Sequence, residues 1–170
     1  MLSEIQILTL LCGAPMHGYA IKQSFASVPI NNNTLYTALN KFVKNGYVTR
    51  EFVPQEKKSS KYMYSITPEG KNYLHSILVK FSRSDAASWL EFLVRLLHAE
   101  HLSDAELENI VRLRLEYLNS AAAENLPQKG VESITGLSNY QTVAEHISQR
   151  IENEKEFIFR FCRERGLNIS

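Results

Sequence analysis

Cysteine is scarce in this chain of 170 residues: only Cys12 and Cys162 occur, far apart and each set among apolar neighbours. That usage argues against a disulfide framework or a C-x-x-C redox or metal site, and both thiols are expected to be reduced core residues. Long apolar runs are missing as well. The opening "MLSEIQILTLLCGAP" has no basic leader, and Gln6 and Thr9 interrupt it, so it fits neither a signal peptide nor a membrane span. No G-x-G-x-x-G, Walker loop or nucleophile elbow appears, which leaves catalysis without a local signature, and the chain is read as a non-enzyme. "HAEH" sets His98, Glu100 and His101 about one turn apart. This is not the spacing of zinc hydrolases and no third ligand stands out, so solvated residues at a helix end are expected and no metal or cofactor is assigned.

What remains is globular in composition, with 44% hydrophobic and 22% charged residues. The net charge of +1 conceals an asymmetry. Residues 1–80 carry nine basic side chains against four acidic, and residues 81–170 carry ten against fourteen. A basic half joined to an acidic half suggests that the first half alone meets a polyanion.

Periodicity orders the first half. Ile5, Leu8, Leu11 and Cys12 share a helix face that Gly13-Ala14-Pro15 ends. "HGYAIKQSFASV" supplies Tyr19, Ile21, Phe25 and Val28 to a second helix, stopped by Pro29. In "NNNTLYTALNKFVKNGYV", Leu35, Leu39, Phe42 and Val43 form one apolar stripe, Asn32 or Asn33 is a candidate N-cap, and Gly46 suits the left-handed exit. "YVTREFV" and "KYMYSI" then alternate as half-buried strands of a hairpin around the polar "PQEKKSS". Thr67 caps a further helix with Pro68 in its first turn and Leu74, Ile77, Leu78 and Phe81 on its buried face.

Three helices, a strand, a lysine-bearing loop, a strand and a helix are the order of a winged helix-turn-helix. In that architecture the third helix enters the major groove and the wing lies over phosphates. Asn33, Thr37, Asn40, Lys41 and Lys44 fall opposite the apolar stripe, with Thr34 and Tyr36 at its flanks. Amides and hydroxyls can read base edges, and lysines neutralise phosphates. An ordinary solvated helix face is the alternative reading of the same residues.

The second half shows helical segments and no strand signal. "DAASWLEFLVRLLHAE" puts Trp89, Phe92, Leu93, Leu96 and Leu97 on one face, and Ser103 with Glu106 opens the next helix as a capping box. In a final helix from about Asn139 to Arg165, Tyr140, Ala144, Ile147, Ile151, Ile158 and Phe161 make a coiled-coil-like seam that Glu154 interrupts. The seam is expected to pack against a second copy, giving a two-fold homodimer. The fold is therefore expected to be mainly α with a small β-hairpin, residues 1–82 binding DNA and residues 83–170 dimerising.

"ILTLLCGAPMHGYAI", "TLYTAL", "NGYV" and "YMYSITPEG" resemble, in order and spacing, the PadR family of bacterial transcriptional regulators. The resemblance covers about the first eighty residues and is carried most clearly by His17-Gly18-Tyr19, Thr34-Leu35-Tyr36 and Thr67-Pro68-Glu69-Gly70. It implies a cytoplasmic, dimeric DNA-binding regulator, read here as a repressor on a pseudo-palindromic operator; a winged-helix module that binds protein instead is the alternative. Tyr19 and Tyr36 are then phosphate contacts, with core packing as the other account of Tyr19, and Lys57, Lys58, Ser59, Ser60 and Lys61 form the wing and its flank. The family usually carries glycine at position 33, proline at position 37 and basic residues before the second wing strand, where this chain has Asn33, Thr37 and Ser59-Ser60-Lys61. "WLEFLVRLL" is similar to the longer PadR-like branch that includes virulence-gene activators, with Arg95 where lysine is expected. Trp89 is a candidate lining residue for a small aromatic or apolar effector, core packing being its other role.

Overall fold

A computed structural model describes residues 2–25, 30–54, 61–125 and 139–169. Val28, Pro29, Lys57, Lys58, Ser59 and Ser60 lie outside the described residues, as does the side chain of Tyr140. The chain divides into two compact units, Met1–Lys80 and Phe81–Ser170.

In the first unit α1 (Leu2–Gly13) buries Ile5, Ile7, Leu8 and Leu11. A two-residue strand, β1 (Met16–His17), leads directly into α2 (Gly18–Ser24). His17 is the N-cap: its Nδ1 accepts the Ala20 N–H at 3.0 Å. β1 is too short to leave a period in the sequence, so only pairing shows it. It joins β2 (Val48–Val53) and β3 (Lys61–Ile66) in an antiparallel sheet of order β1-β3-β2.

α3 (Asn32–Lys44) buries Leu35, Ala38, Leu39 and Phe42. Its cap is Asn31, one residue earlier than the sequence suggests, with Oδ1 accepting the Thr34 N–H at 2.8 Å. That position leaves the side chains of Asn32 and Asn33 unspent on capping. At the other end Gly46 adopts φ 74°, and the Tyr47 N–H closes onto the Phe42 carbonyl at 2.9 Å.

α4 (Pro68–Val79) begins with Thr67, whose hydroxyl accepts the Gly70 N–H at 3.0 Å and donates to the Gly46 carbonyl at 2.7 Å. The Thr67 N–H donates to the Tyr47 carbonyl at 3.0 Å. A Cβ on Gly70 would lie 2.0 Å from that same carbonyl oxygen, so only glycine lets α4 approach the α3–β2 turn this closely. The motif Thr67-Pro68-Glu69-Gly70 thus fastens the exit of α3, the end of β3 and the start of α4 together. Phe81 is not on α4: the helix ends at Val79, and Phe81 belongs to the core of the second unit.

In the second unit the expected single helix over residues 85–100 is broken into α5 (Arg83–Ala86), α6 (Trp89–Leu97) and a 3-10 turn at Ala99–His101. Two serines cause the breaks. Ser82 forms a capping box with Asp85, and Ser88 caps α6 through the Glu91 N–H. Leu97 consequently turns outward and is 62% exposed, while Phe92, Val94 and Leu96 are buried. α7 (Asp104–Asn125) starts at the Ser103–Glu106 capping box, and α8 (Tyr140–Arg165) ends at Gly166 with φ 71°.

α7 and α8 pack on each other around Leu107, Ile110, Val111, Leu118, Ile151 and Ile158. Ala144, Ile151 and Ile158 are buried within one chain, and Ile147 and Phe161 pack against the same core. A period of three and four shows that a helix has a partner but not whose chain supplies it. Glu154 is likewise no defect in the stripe. It receives the guanidinium of Arg114 in a two-point pair, Nε to Oε1 at 2.5 Å and Nη2 to Oε2 at 2.8 Å. The Arg114 Nη1 also donates to the Ala86 carbonyl, which ties α5 to α7 and α8. Arg95 is fully buried, donating to the Glu91 carbonyl and carboxylate at 2.8 and 2.6 Å with its guanidinium 4.8 Å from the Phe81 ring centroid. A planar guanidinium suits that stacked site better than an ammonium would.

Neither Cys12 nor Cys162 is in a disulfide, and burial, followed by the charge of Glu108, pushes the Cys162 thiol up. Among the described residues no helix is long and apolar enough to cross a membrane.

Candidate nucleic-acid interface

The twist of α3 sorts its polar residues into an outer face and two flanks. At about 100° per residue, Asn33, Thr37, Asn40 and Lys44 fall within roughly 60° of one another, opposite Leu35, Leu39 and Phe42. All four are exposed, and the buried stripe holds the helix so that they face away from the core. Tyr36 occupies one flank, beside α2; Thr34 and Lys41 occupy the other, beside α1.

On the Tyr36 flank the fold gathers residues that lie far apart in sequence. His17, Gly18, Tyr19, Tyr36, Lys61, Tyr62 and Tyr64 line one cleft of about 250 Å³. Three of the residues expected to contact DNA, Tyr19, Tyr36 and Lys61, therefore converge there. Tyr19 is 63% exposed, which sets aside a core role; its ring stacks near His17, and its hydroxyl accepts from Gln23 Nε2 at 3.0 Å. Tyr64 is the buried floor, and burial keeps its hydroxyl protonated to higher pH than usual.

Gly18 sets the position of Tyr36. A Cβ there would sit 2.8 Å from the Tyr36 hydroxyl and 2.9 Å from Cε1, so the ring must swing away in any other residue's presence. Because Tyr36 is 43% exposed, Gly18→Ala is expected to leave the melting temperature within a few degrees while weakening DNA binding. Parallel thermal melts and gel shifts check this, and unchanged affinity with unchanged stability would remove Tyr36 from the interface.

The hairpin adds three exposed residues that the sequence reading did not single out, Arg50, Phe52 and Tyr62. Arg50 and Phe52 of β2 face Tyr64 and Tyr62 of β3 in register, on one face of strands that the alternation reads as half-buried. The inner end of that face is buried, at Val48 and Tyr64, whereas Phe52 is 55% exposed and Tyr62 is exposed too. Phe52 and Tyr62 meet edge to face at 5.5 Å, and the Arg50 guanidinium lies 4.7 Å over the Tyr62 ring. The signal available was the clustering of aromatics with arginine on a hairpin already assigned to a nucleic acid.

Lys41 is placed differently from expectation. Its ammonium does not stand free on the outer face; it pairs with Glu4 Oε1 at 2.6 Å. The hydrogen bond to Glu4 and then the carboxylate's charge raise its pKa further above neutrality.

In the second unit Trp89 is 38% exposed, its ring 5.9 Å from Phe92, 5.9 Å from Phe157 and 5.8 Å from the Arg114 guanidinium. His98 ends α6, and burial, the dominant influence, holds it below the usual imidazole range. His101 Nε2 lies 3.6 Å from Glu100 Oε1. Among the described residues no group of three or more His, Cys, Asp or Glu side chains is gathered as metal ligands.

The profile of the transcriptional regulator PadR-like family matches residues 7–76, the segment that builds this winged unit. No curated protein matches the sequence. Among solved structures, a transcriptional regulator from Clostridium thermocellum is 32% identical over 44% of this chain and 76% of its own, with a TM-score of 0.40. Bacillus subtilis PadR in complex with operator DNA is 20% identical over 95% of this chain and 97% of its own, with a TM-score of 0.45. The same protein in complex with p-coumaric acid gives 19% identity, 96% and 98% coverage, and a TM-score of 0.40. By the profile match and the identity to the clostridial regulator, the chain belongs to the PadR-like family of transcriptional regulators.

Proposed function

We propose that this regulator is a repressor that binds a pseudo-palindromic operator as a homodimer, with α3 in the major groove and the β2–β3 hairpin over the flanking backbone. The observation that carries the reading is the outer face of α3: Asn33, Thr37, Asn40 and Lys44, exposed and set by a buried stripe. Asn33, Thr37 and Asn40 have the donor and acceptor pairs that base edges need, and Lys44 and Lys61 have the charge that phosphates need. Tyr19, Tyr36 and Arg50 extend the contact toward the hairpin. Dimerisation uses apolar side chains that one chain leaves uncovered on its second unit, Leu90, Leu97, Val143 and Phe159, and not the seam already filled by α7.

Selection of duplex DNA from a random pool on the purified protein tests the reading. The expected product has two half-sites about one helical turn, roughly 34 Å, apart. Binding should weaken steeply with salt. A protein that shifts no DNA at low salt is a protein-binding winged module, and a monomeric mass by light scattering removes the dimer.

A further inference from the structure

Glu4 is an acidic residue in a unit dominated by basic ones, and it is placed where it bears on the recognition helix. It lies in the first turn of α1, yet its carboxylate touches two other helices. Oε1 accepts from Lys41 Nζ of α3 at 2.6 Å, and Oε2 accepts from the Tyr73 hydroxyl of α4 at 3.4 Å. Tyr73 is in turn held: its ring stacks on Tyr47 with centroids 4.3 Å apart and planes 10° off parallel, and its other side meets Phe42 at 6.4 Å. The two members of the ion pair are unequal. The Glu4 side chain is 20% exposed and backed by Tyr73, whereas the Lys41 side chain is 52% exposed. The carboxylate is the fixed member and the ammonium the one free to leave.

We propose that Glu4 is an internal competitor for Lys41: it holds this flank cation of α3 away from DNA phosphates and so lowers the electrostatic part of DNA affinity. The proposal rests on the reading of α3 as the DNA-facing helix and adds a residue on α1 that sets how tightly that helix holds the backbone. The hydrogen bond to Glu4 and its charge hold the Lys41 ammonium in its charged form, so the effect is competition between two anions for one cation. Its consequence for a regulator is a looser overall grip and easier release. Phosphate contacts strengthen operator and random sequence alike, so removing one lowers non-specific retention without touching base readout.

Salt dependence of binding to random-sequence duplex DNA tests this, because each cation that neutralises a phosphate adds about 0.9 to the log–log slope. Wild type, Glu4→Gln, Lys41→Gln and the double variant are compared. Glu4→Gln is expected to steepen the slope by about 0.9 and to tighten binding roughly tenfold at low salt. Lys41→Gln alone should leave the slope as in wild type, and in the double variant the gain should vanish. A slope that falls by about 0.9 in Lys41→Gln alone would show that Lys41 already sits on a phosphate and overturn the proposal. A lowered melting temperature in Glu4→Gln with an unchanged slope would reduce the pair to a structural tie, which overturns it equally. If wild type binds but these shifts are absent, the competitor fails and DNA binding stands; if wild type itself binds no DNA, both fall.

Discussion

Replacing Arg114 by methionine should cost the protein about 3–5 kcal/mol, the largest loss expected from any single substitution considered for this chain. The guanidinium is 3% exposed, and its partner Glu154 is nearly as enclosed. Methionine fills much of the volume but leaves a buried carboxylate with no counter-charge and the Ala86 carbonyl without its donor. The ring contacts of the guanidinium with Trp89, Phe92 and Tyr117 go as well. Against a typical total stability of about 5–15 kcal/mol, such a loss is a large part of the whole. Trp89 is the one tryptophan and lies 5.8 Å from the guanidinium, so its fluorescence reports the transition in urea directly. Replacing Glu154 by leucine in the same chain should recover much of the loss, because an apolar pair of similar volume carries no desolvation cost. A single-variant loss below about 1 kcal/mol would place the pair with solvent-screened bridges instead.

The second large effect concerns discrimination. Asn33→Ala, Thr37→Ala and Asn40→Ala together should lower the ratio of operator to random-DNA affinity on the order of a thousandfold, since each good base-edge contact is worth about 1–3 kcal/mol. Their non-specific binding and its salt slope should persist, because the phosphate-facing cations are untouched. Stability should hold or rise. The three side chains are exposed, none has a partner among the described residues, and alanine is the better helix former. Competition binding with operator and scrambled duplexes, beside a thermal melt, reads both quantities. Lys44→Ala is the control: it should weaken both DNAs alike and flatten the slope by about 0.9. Retained discrimination in the triple variant would move sequence reading off α3.

These two predictions draw on different depths of the sequence. The outer face of α3 was legible because burial of Leu35, Leu39 and Phe42 fixes the rotation of the helix, and rotation alone names the residues opposite. The caps at Thr67 and Ser103 were legible for a similar reason, since a side chain serving a backbone three residues away is a local event. The Arg114–Glu154 and Glu4–Lys41 pairs join residues about forty positions apart, and no local pattern announces them. Leu97 was misplaced because Ser88, small and unremarkable in "DAASWLEF", resets the helix phase by capping α6. The stripe on α8 was legible, but its packing against α7 was not. Periodicity counts the apolar positions of one helix, and only tertiary packing decides that α7 fills them.

The knot at Thr67 has a consequence for how such a regulator can diverge. Thr67, Gly70, Gly46 and the Tyr47 carbonyl lock the exit of α3 to the root of the hairpin through the Thr67 hydroxyl and the backbone, and none of these contacts involves positions 33, 37 or 40. The letters and the frame that carries them are separate parts of one small unit. On the proposed reading of α3, new sequence preferences are open at the three outer positions without reworking the frame. A change at the knot alters the spacing between groove and flank at once, and with it every operator the protein could recognise.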